Sequence, residues 1–161
     1  MNQAFHLYRL QQIDSQIDQV ISGLAEIDRL LSSDETVNQA SIILEETGKV
    51  HHLAAQNLKQ LEFAVKEQQI KIAQSESTLY GGKVRNPKEL QDLQKEIASL
   101  KKHLTAMEDQ QLEAMLVQEE ADEHLKSAQE ALTQVQASFS ERSAGWLGQR
   151  EQLNRNLERL Q

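Results

Sequence analysis

Leu79-Tyr80-Gly81-Gly82-Lys83-Val84-Arg85-Asn86-Pro87-Lys88-Glu89-Leu90 is the stretch whose reading sets the fold. Two consecutive glycines can adopt the left-handed backbone conformations that halt a helix, without the steric cost other residues meet there. Asn86, Pro87 and Glu89 then stand at the spacing of an N-cap, a first helical residue and an acidic third one. The segment therefore reads as a tight helix-to-helix turn over residues 80–86. So short a connection obliges its two flanking helices to run antiparallel.

Both flanks carry the heptad pattern that such a pairing needs. Before the turn, Val37, Leu44, His51, Leu58, Val65, Ile72 and Leu79 recur in one register, with Ala40, Thr47, Ala54, Leu61, Gln68 and Ser75 between them. After it, Leu90, Ile97, Leu104, Gln111, Gln118, Leu125, Leu132, Phe139, Trp146, Leu153 and Leu160 keep a single register to the end of the sequence. The second row of that arm is Leu93, Leu100, Met107, Ala114, Ala121, Ala128, Val135, Arg142, Gln149 and Asn156. Further back, Leu10, Ile13, Ile17, Val20, Leu24, Ile27 and Leu31 form another stripe. It is offset by one residue from the stripe that starts at Val37, and Ser32-Ser33-Asp34-Glu35 lies between them with the Ser-x-x-Glu spacing of a capping box.

The fold expected is all-α: a long antiparallel two-helix coiled-coil hairpin forming a single domain over residues 1–161. Arm one covers about 3–79 with a kink or break near 32–36, the turn covers 80–86, and arm two covers about 87–160. Facing residues should carry numbers that add to about 169 or 170, which sets Leu24 opposite Trp146, Ile17 opposite Leu153 and Val65 opposite Leu104. Gly23 falls near the expected layer of Trp146, where a missing side chain would make room for the indole. The same rule sets Leu58 against Gln111 and His51 against Gln118, a polar stretch that weakens packing and helps fix register.

Composition agrees with a narrow seam between solvated helices. Only 4% of the residues are aromatic, and the chain has one Pro and six Gly. The net charge of −8 disfavours indiscriminate binding to nucleic acid or anionic membrane. That charge is uneven. From Lys66 to Lys102 eight basic residues face five acidic ones, a balance of +3, whereas Glu108 to Glu123 holds seven acidic residues and no basic one. There is no cysteine, hence no disulfide framework and no thiolate metal site within these residues. No run of about 18 apolar residues suits a membrane span, and the start has neither the basic nor the apolar part of a leader, so a cytoplasmic protein is expected.

Chemistry-bearing patterns are sparse. His6, His51, His52, His103 and His124 include no helical i, i+4 pair of the kind that grips a metal, so packing or exposure is expected of them. No phosphate loop or nucleophile elbow occurs, and carboxylates on an open two-helix structure lack the desolvation that tunes catalytic groups. No catalytic residue, cofactor site or metal site is therefore assigned.

The candidate interaction site is the tip: Tyr80, Gly81, Gly82, Lys83, Arg85, Asn86 and Lys88. An aromatic beside cations suits protein or phosphate contacts. The plainer reading has Tyr80 stapling the turn and the cations merely solvating it. Leu112, Met115, Leu116 and Val117 pose a second choice, because they are more apolar than a two-helix seam requires. Local rotation of the seam onto them is expected, since the alternative, an exposed stripe for another helix, is an association liability.

LYGGKVRNPKELQDLQKEIASLKK, from Leu79 to Lys102, resembles a bacterial family of coiled-coil hairpin proteins that end in a four-cysteine zinc ribbon. LEAMLVQEEAD, from Leu112 to Asp122, resembles that family's second helix. The resemblance implies a long kinked hairpin. It also implies the family's described roles, which are proposed nucleic-acid binding and, in some members, links to flagellar or type III secretion that include chaperoning of a sigma factor. The ribbon's two Cys-x-x-Cys pairs have no counterpart here, so this sequence is either a piece of a longer protein or a member without the ribbon.

The function expected is that of a non-catalytic interaction module, a scaffold, adaptor or chaperone for a protein partner. The alternative is a nucleic-acid-binding regulator whose zinc ribbon is missing. Two such hairpins side by side bury more apolar surface than one, so a homodimer stands beside a monomer as an alternative.

Overall fold

The computed structural model describes residues 2–32 and 34–161. Three α-helices follow one another: α1, Asn2–Ser32; α2, Glu35–Tyr80; and α3, Pro87–Leu160. They pack as an all-helical hairpin. Contacts within the hairpin group into two units, one made of Met1–Leu44 with Ala128–Gln161 and the other of Glu45–Ser127.

The second unit contains the turn, and its geometry follows from the residues quoted at the outset. Gly82 has φ 73°, a left-handed conformation that an L side chain adopts only at a cost. A Cβ at Gly81 would lie 2.6 Å from the Ser77 carbonyl oxygen, so the chain turns there only because no side chain intervenes. Asn86 caps α3, its Oδ1 accepting from the Lys88 N–H at 3.0 Å while its carbonyl accepts from the Leu90 N–H at 3.0 Å. Pro87, the first residue of α3, has no N–H to leave orphaned.

From the turn the seam runs as the heptads require. Ala54, Val65, Gln68 and Ile72 of α2 and Ile97, Ala114 and Ala121 of α3 are its buried residues in this unit. Alanine at three consecutive positions of one row, 114, 121 and 128, lets the helices approach closely, and Ala121 is the most buried residue at 3% exposure. Each alanine removes little apolar surface from water, so the stability of the seam is spread along its length. Gln68 is buried too, and its Nε2 donates across the arms to the Leu100 carbonyl at 3.0 Å, which satisfies a polar group that would otherwise oppose folding. In the polar middle, Gln111 and Gln118 stay half-buried in the seam, and His51 hydrogen-bonds through Nε2 to the Asp122 carboxylate.

In the first unit, α1 ends and α2 restarts by a different device from the capping box expected. Ser32 does not cap. Its hydroxyl donates back to the Arg29 carbonyl at 2.7 Å and belongs to the end of α1. The cap is Asp34, whose Oδ1 accepts from the Thr36 N–H at 2.8 Å and the Val37 N–H at 3.4 Å. Ser33, the middle of the expected break, lies outside the described residues. Leu30 and Leu31 are both half-buried, which is the seam's change of register seen in the structure.

Asp34 also reaches the other arm, since Arg142 Nη2 donates to its Oδ2 at 2.7 Å. Arg142 was expected inside the seam. Instead Ser143 takes that place, and the guanidinium stays about half exposed, over the Trp146 ring at 5.9 Å from its centroid. Burying an arginine charge is far costlier than turning one residue further around the helix. Phe139 meets Trp146 edge to face at 6.2 Å and completes the cluster.

The pairing of the arms here also departs from the expected layers. Gly23 meets Leu153, whose Cδ1 would lie 3.2 Å from a Cβ placed on the glycine, and not Trp146. The numbers of that pair, and those of Asp34 with Arg142, add to 176 instead of 169 or 170. Extrapolating heptads assumes equal advance along both arms. A non-helical residue advances about 3.3 Å against 1.5 Å for a helical one, so the interruption adds to a departure that is already present in uninterrupted α2, where His51 with Asp122 adds to 173. With that register α3 ends before it reaches the start of α1, and Phe5, Leu7, Tyr8 and Leu10 are exposed. Leu10 was expected in the seam.

Two outcomes follow from these interactions. Gly82→Ala should lower unfolding stability by about 1 kcal/mol in urea titrations, because alanine pays the left-handed penalty that glycine avoids. For Asp34, burial favours the neutral acid, but the Thr36 and Val37 N–H groups and the Arg142 charge outweigh it and hold the carboxyl below its ordinary value. A depressed pKa means stabilisation that is complete above the unfolded value and disappears as pH falls through the folded one. Asp34→Asn keeps the cap and removes the charge. Its melting temperature should lie below that of the parent at neutral pH and converge on it below about pH 4. A gap that persists into strong acid would show that the charge is not the cause.

Candidate functional site

Seven residues were assigned to the tip, and the structure divides them by what they do. Gly81, Gly82 and Asn86 build the turn, through the close approach to Ser77, the positive φ and the cap of α3. Tyr80, Lys83, Arg85 and Lys88 build nothing of the kind. Tyr80, the last residue of α2, is 82% exposed and does not staple the turn. Lys83, Arg85 and Lys88 are exposed, and none of them makes an ion pair among the described residues. Val84, half-buried, anchors the loop between them.

Farther from the turn, Lys101 donates to Glu76 across the arms at 2.6 Å, and that hydrogen bond, helped by the carboxylate's charge, holds its ammonium above the usual lysine range. One cation of the basic region is thus already neutralised by its own hairpin. The three at the turn keep their full field, which is the condition for attracting an anionic or acidic surface from solution.

A second surface emerges on α3 that the sequence reading had assigned to the seam. Leu112, Met115, Leu116 and Val117 are exposed, Leu112 by 58%, Met115 by 41% and Leu116 by 66%. Local rotation of the seam onto them does not take place. Gln111, Ala114, Gln118 and Ala121 keep the inward positions, because the alanines allow close packing and the glutamines reach water at the seam's edge. The alternative arrangement, an exposed stripe, is the one the structure has.

Elsewhere the surface offers little chemistry. Among the described residues, no group of three or more His, Cys, Asp or Glu side chains could hold a metal ion. In the first unit an open cleft bordered by Val20, Leu153 and Leu160 has Arg159 as its one charged lining residue, so it contains no acid–base pair. Among the described residues no helix is long and apolar enough to cross a membrane.

Comparison with known proteins bears on the whole hairpin. Residues 9–161 match the family described as the CT398-like coiled coil hairpin domain. No curated protein and no solved structure matches the chain.

The division of labour at the tip has a direct check. Asn86→Ala should cost about 1 kcal/mol of unfolding stability through loss of the cap. Tyr80→Ala should leave the denaturation midpoint unchanged within error, since the ring is exposed. A loss at Tyr80 equal to that at Asn86 would return the tyrosine to a structural role.

Proposed function

The chain belongs to the CT398-like coiled coil hairpin family, and from that premise we propose that it is a non-catalytic interaction module whose tip holds a protein partner, as a scaffold, adaptor or chaperone does. The observation that carries the reading is the exposed Tyr80 ring beside the unpaired cations of Lys83, Arg85 and Lys88. An aromatic anchor desolvates readily and supplies contact area at low entropic cost, while the cations steer an acidic partner toward it. The glycines and the Asn86 cap hold that group on a fixed turn, so the partner does not have to order it. The reading includes no catalytic residue and no cofactor, and it keeps the cytoplasmic location expected from the sequence.

The same cations support a second reading, binding of nucleic acid. It is the weaker of the two because only three charges converge at the turn and the chain as a whole carries −8. The two readings differ in salt response and in what competes. Affinity capture with the intact chain should retain a specific protein when salt rises from about 50 to 200 mM, and the combined variant Tyr80→Ala, Lys83→Glu, Arg85→Glu, Lys88→Glu should lose it while keeping its helical circular dichroism. An unchanged set of captured proteins would defeat the tip assignment. A steep loss over that salt range, with displacement by single-stranded nucleic acid, would establish the second reading instead.

A further inference from the structure

The exposed apolar stripe of α3 lies inside a frame of carboxylates. Counting from the seam positions Gln111 and Gln118, the residues Glu108, Leu112, Met115, Glu119 and Asp122 follow one another at spacings of four and three along one flank of the helix. Asp109, Leu116 and Glu123 form the adjoining outer row at spacings of seven. The apolar patch is therefore closed at each end by acidic side chains on its own face.

Apart from Asp122, which His51 engages, these carboxylates have no cationic partner among the described residues. An exposed apolar patch with spacing i, i+3, i+4 is the footprint of a second helix. The carboxylate frame determines which kind.

We propose that Glu108–Glu123 of α3 is a docking face for one basic amphipathic helix of a partner protein, whose apolar side chains cover Leu112, Met115 and Leu116 while lysines or arginines at its two ends meet Glu108 with Asp109 and Glu119 with Glu123. The proposal deepens the reading of the hairpin as a protein-binding module and concerns a face separate from its tip.

Charge selects against the obvious competitor, a second copy. The same face of another molecule would bring its own five carboxylates, Glu108, Asp109, Glu119, Asp122 and Glu123, against these, a like-charge contact in an apolar setting. The chain does own a cationic apolar stripe, Lys59, Lys66 and Lys71 around exposed Phe63 and Ile70. It is centred nearer the turn. Pairs in this unit have numbers adding to 168 for Gln68 with Leu100, 173 for His51 with Asp122 and 177 for Glu76 with Lys101. With any of these sums the two stripes are out of step along the hairpin, the cationic one lying nearer the turn. A two-fold dimer of parallel hairpins cannot superpose each on the other; an antiparallel one, whose reciprocal contacts close whatever the offset, is the competitor that sedimentation tests.

The test uses the full chain and a fluorescein-labelled helical peptide of Leu, Ala and Lys, with lysine pairs about eleven residues apart on either side of its leucines. Anisotropy should show saturable binding, weakened about tenfold or more by Leu112→Glu with Leu116→Glu. Changing Glu108, Glu119 and Glu123 to Gln should flatten its salt dependence. Val50→Glu with Leu53→Glu, on the other flank, should leave it unchanged, as should the tip variant, so that failure here and failure at the tip are told apart. Circular dichroism confirms that each variant is helical. Absence of saturable binding, or equal binding by the Leu112/Leu116 variant, overturns the proposal. So does a dimer in sedimentation equilibrium that Leu116→Glu dissociates, because a second copy would then occupy the stripe.

Discussion

The turn between Tyr80 and Pro87 is the constraint on which the remaining structure depends. Its peptide units reverse direction because Gly82 sits at φ 73° and because Gly81 places no Cβ against the Ser77 carbonyl. Once the chain reverses in so few residues, each apolar position of α2 has a partner on α3 at a predictable distance along the sequence. The cross-arm contacts of the second unit, Gln68 with Leu100 and Lys101 with Glu76, are consequences of that reversal. An equally apolar pair of helices joined by a long linker would have many registers to choose from.

A two-helix seam is a thin core, and its composition shows how a thin core tolerates polarity. Gln68 is buried and hydrogen-bonded to a backbone carbonyl, while Gln111, Gln118 and His51 sit where the seam meets water. Replacing such residues by leucine would strengthen packing but make neighbouring registers more alike, since every layer would accept every other. The alanines at 114, 121 and 128 act in the same direction by fixing how near the helices come. Keeping the seam narrow also leaves Leu112, Met115 and Leu116 outside it. The exposed stripe is thus a consequence of which residues win the inward positions.

Much of this was legible in the sequence because heptads and turn residues act locally. The turn, the N-cap at Asn86 and the seam rows through Val65, Ile72, Ile97 and Ala121 need only short-range rules. What was missed depends on comparing competitors that no local rule ranks. Ser32 and Glu35 have capping-box spacing, yet Asp34 is the cap, and the reason lies across the hairpin, where Arg142 meets the same carboxylate. Arg142 falls on a heptad row, but charge keeps it out and Ser143 goes in. Register departs from the extrapolated sum already at His51 with Asp122, and further beyond the interruption, where non-helical residues advance farther than helical ones. At the tip, the pattern named seven residues without separating those that build the turn from those left for contact. Only geometry makes that separation.

The molecule thereby presents two surfaces of opposite charge built on different physics. At the tip, cations surround an aromatic on a backbone that glycine fixes, so the arrangement of those side chains depends on the turn. On α3, carboxylates surround an aliphatic patch on a regular helix, and its exposure depends on the seam's choosing alanine and glutamine over leucine. The first is lost if the turn is altered. The second would be lost if the seam were improved, since a seam rotated onto Leu112 and Leu116 would gain burial for the hairpin and remove the face. A seam that forgoes its most apolar neighbours gives up stability, and retention of those residues in the exposed position is accounted for if something other than the hairpin covers them.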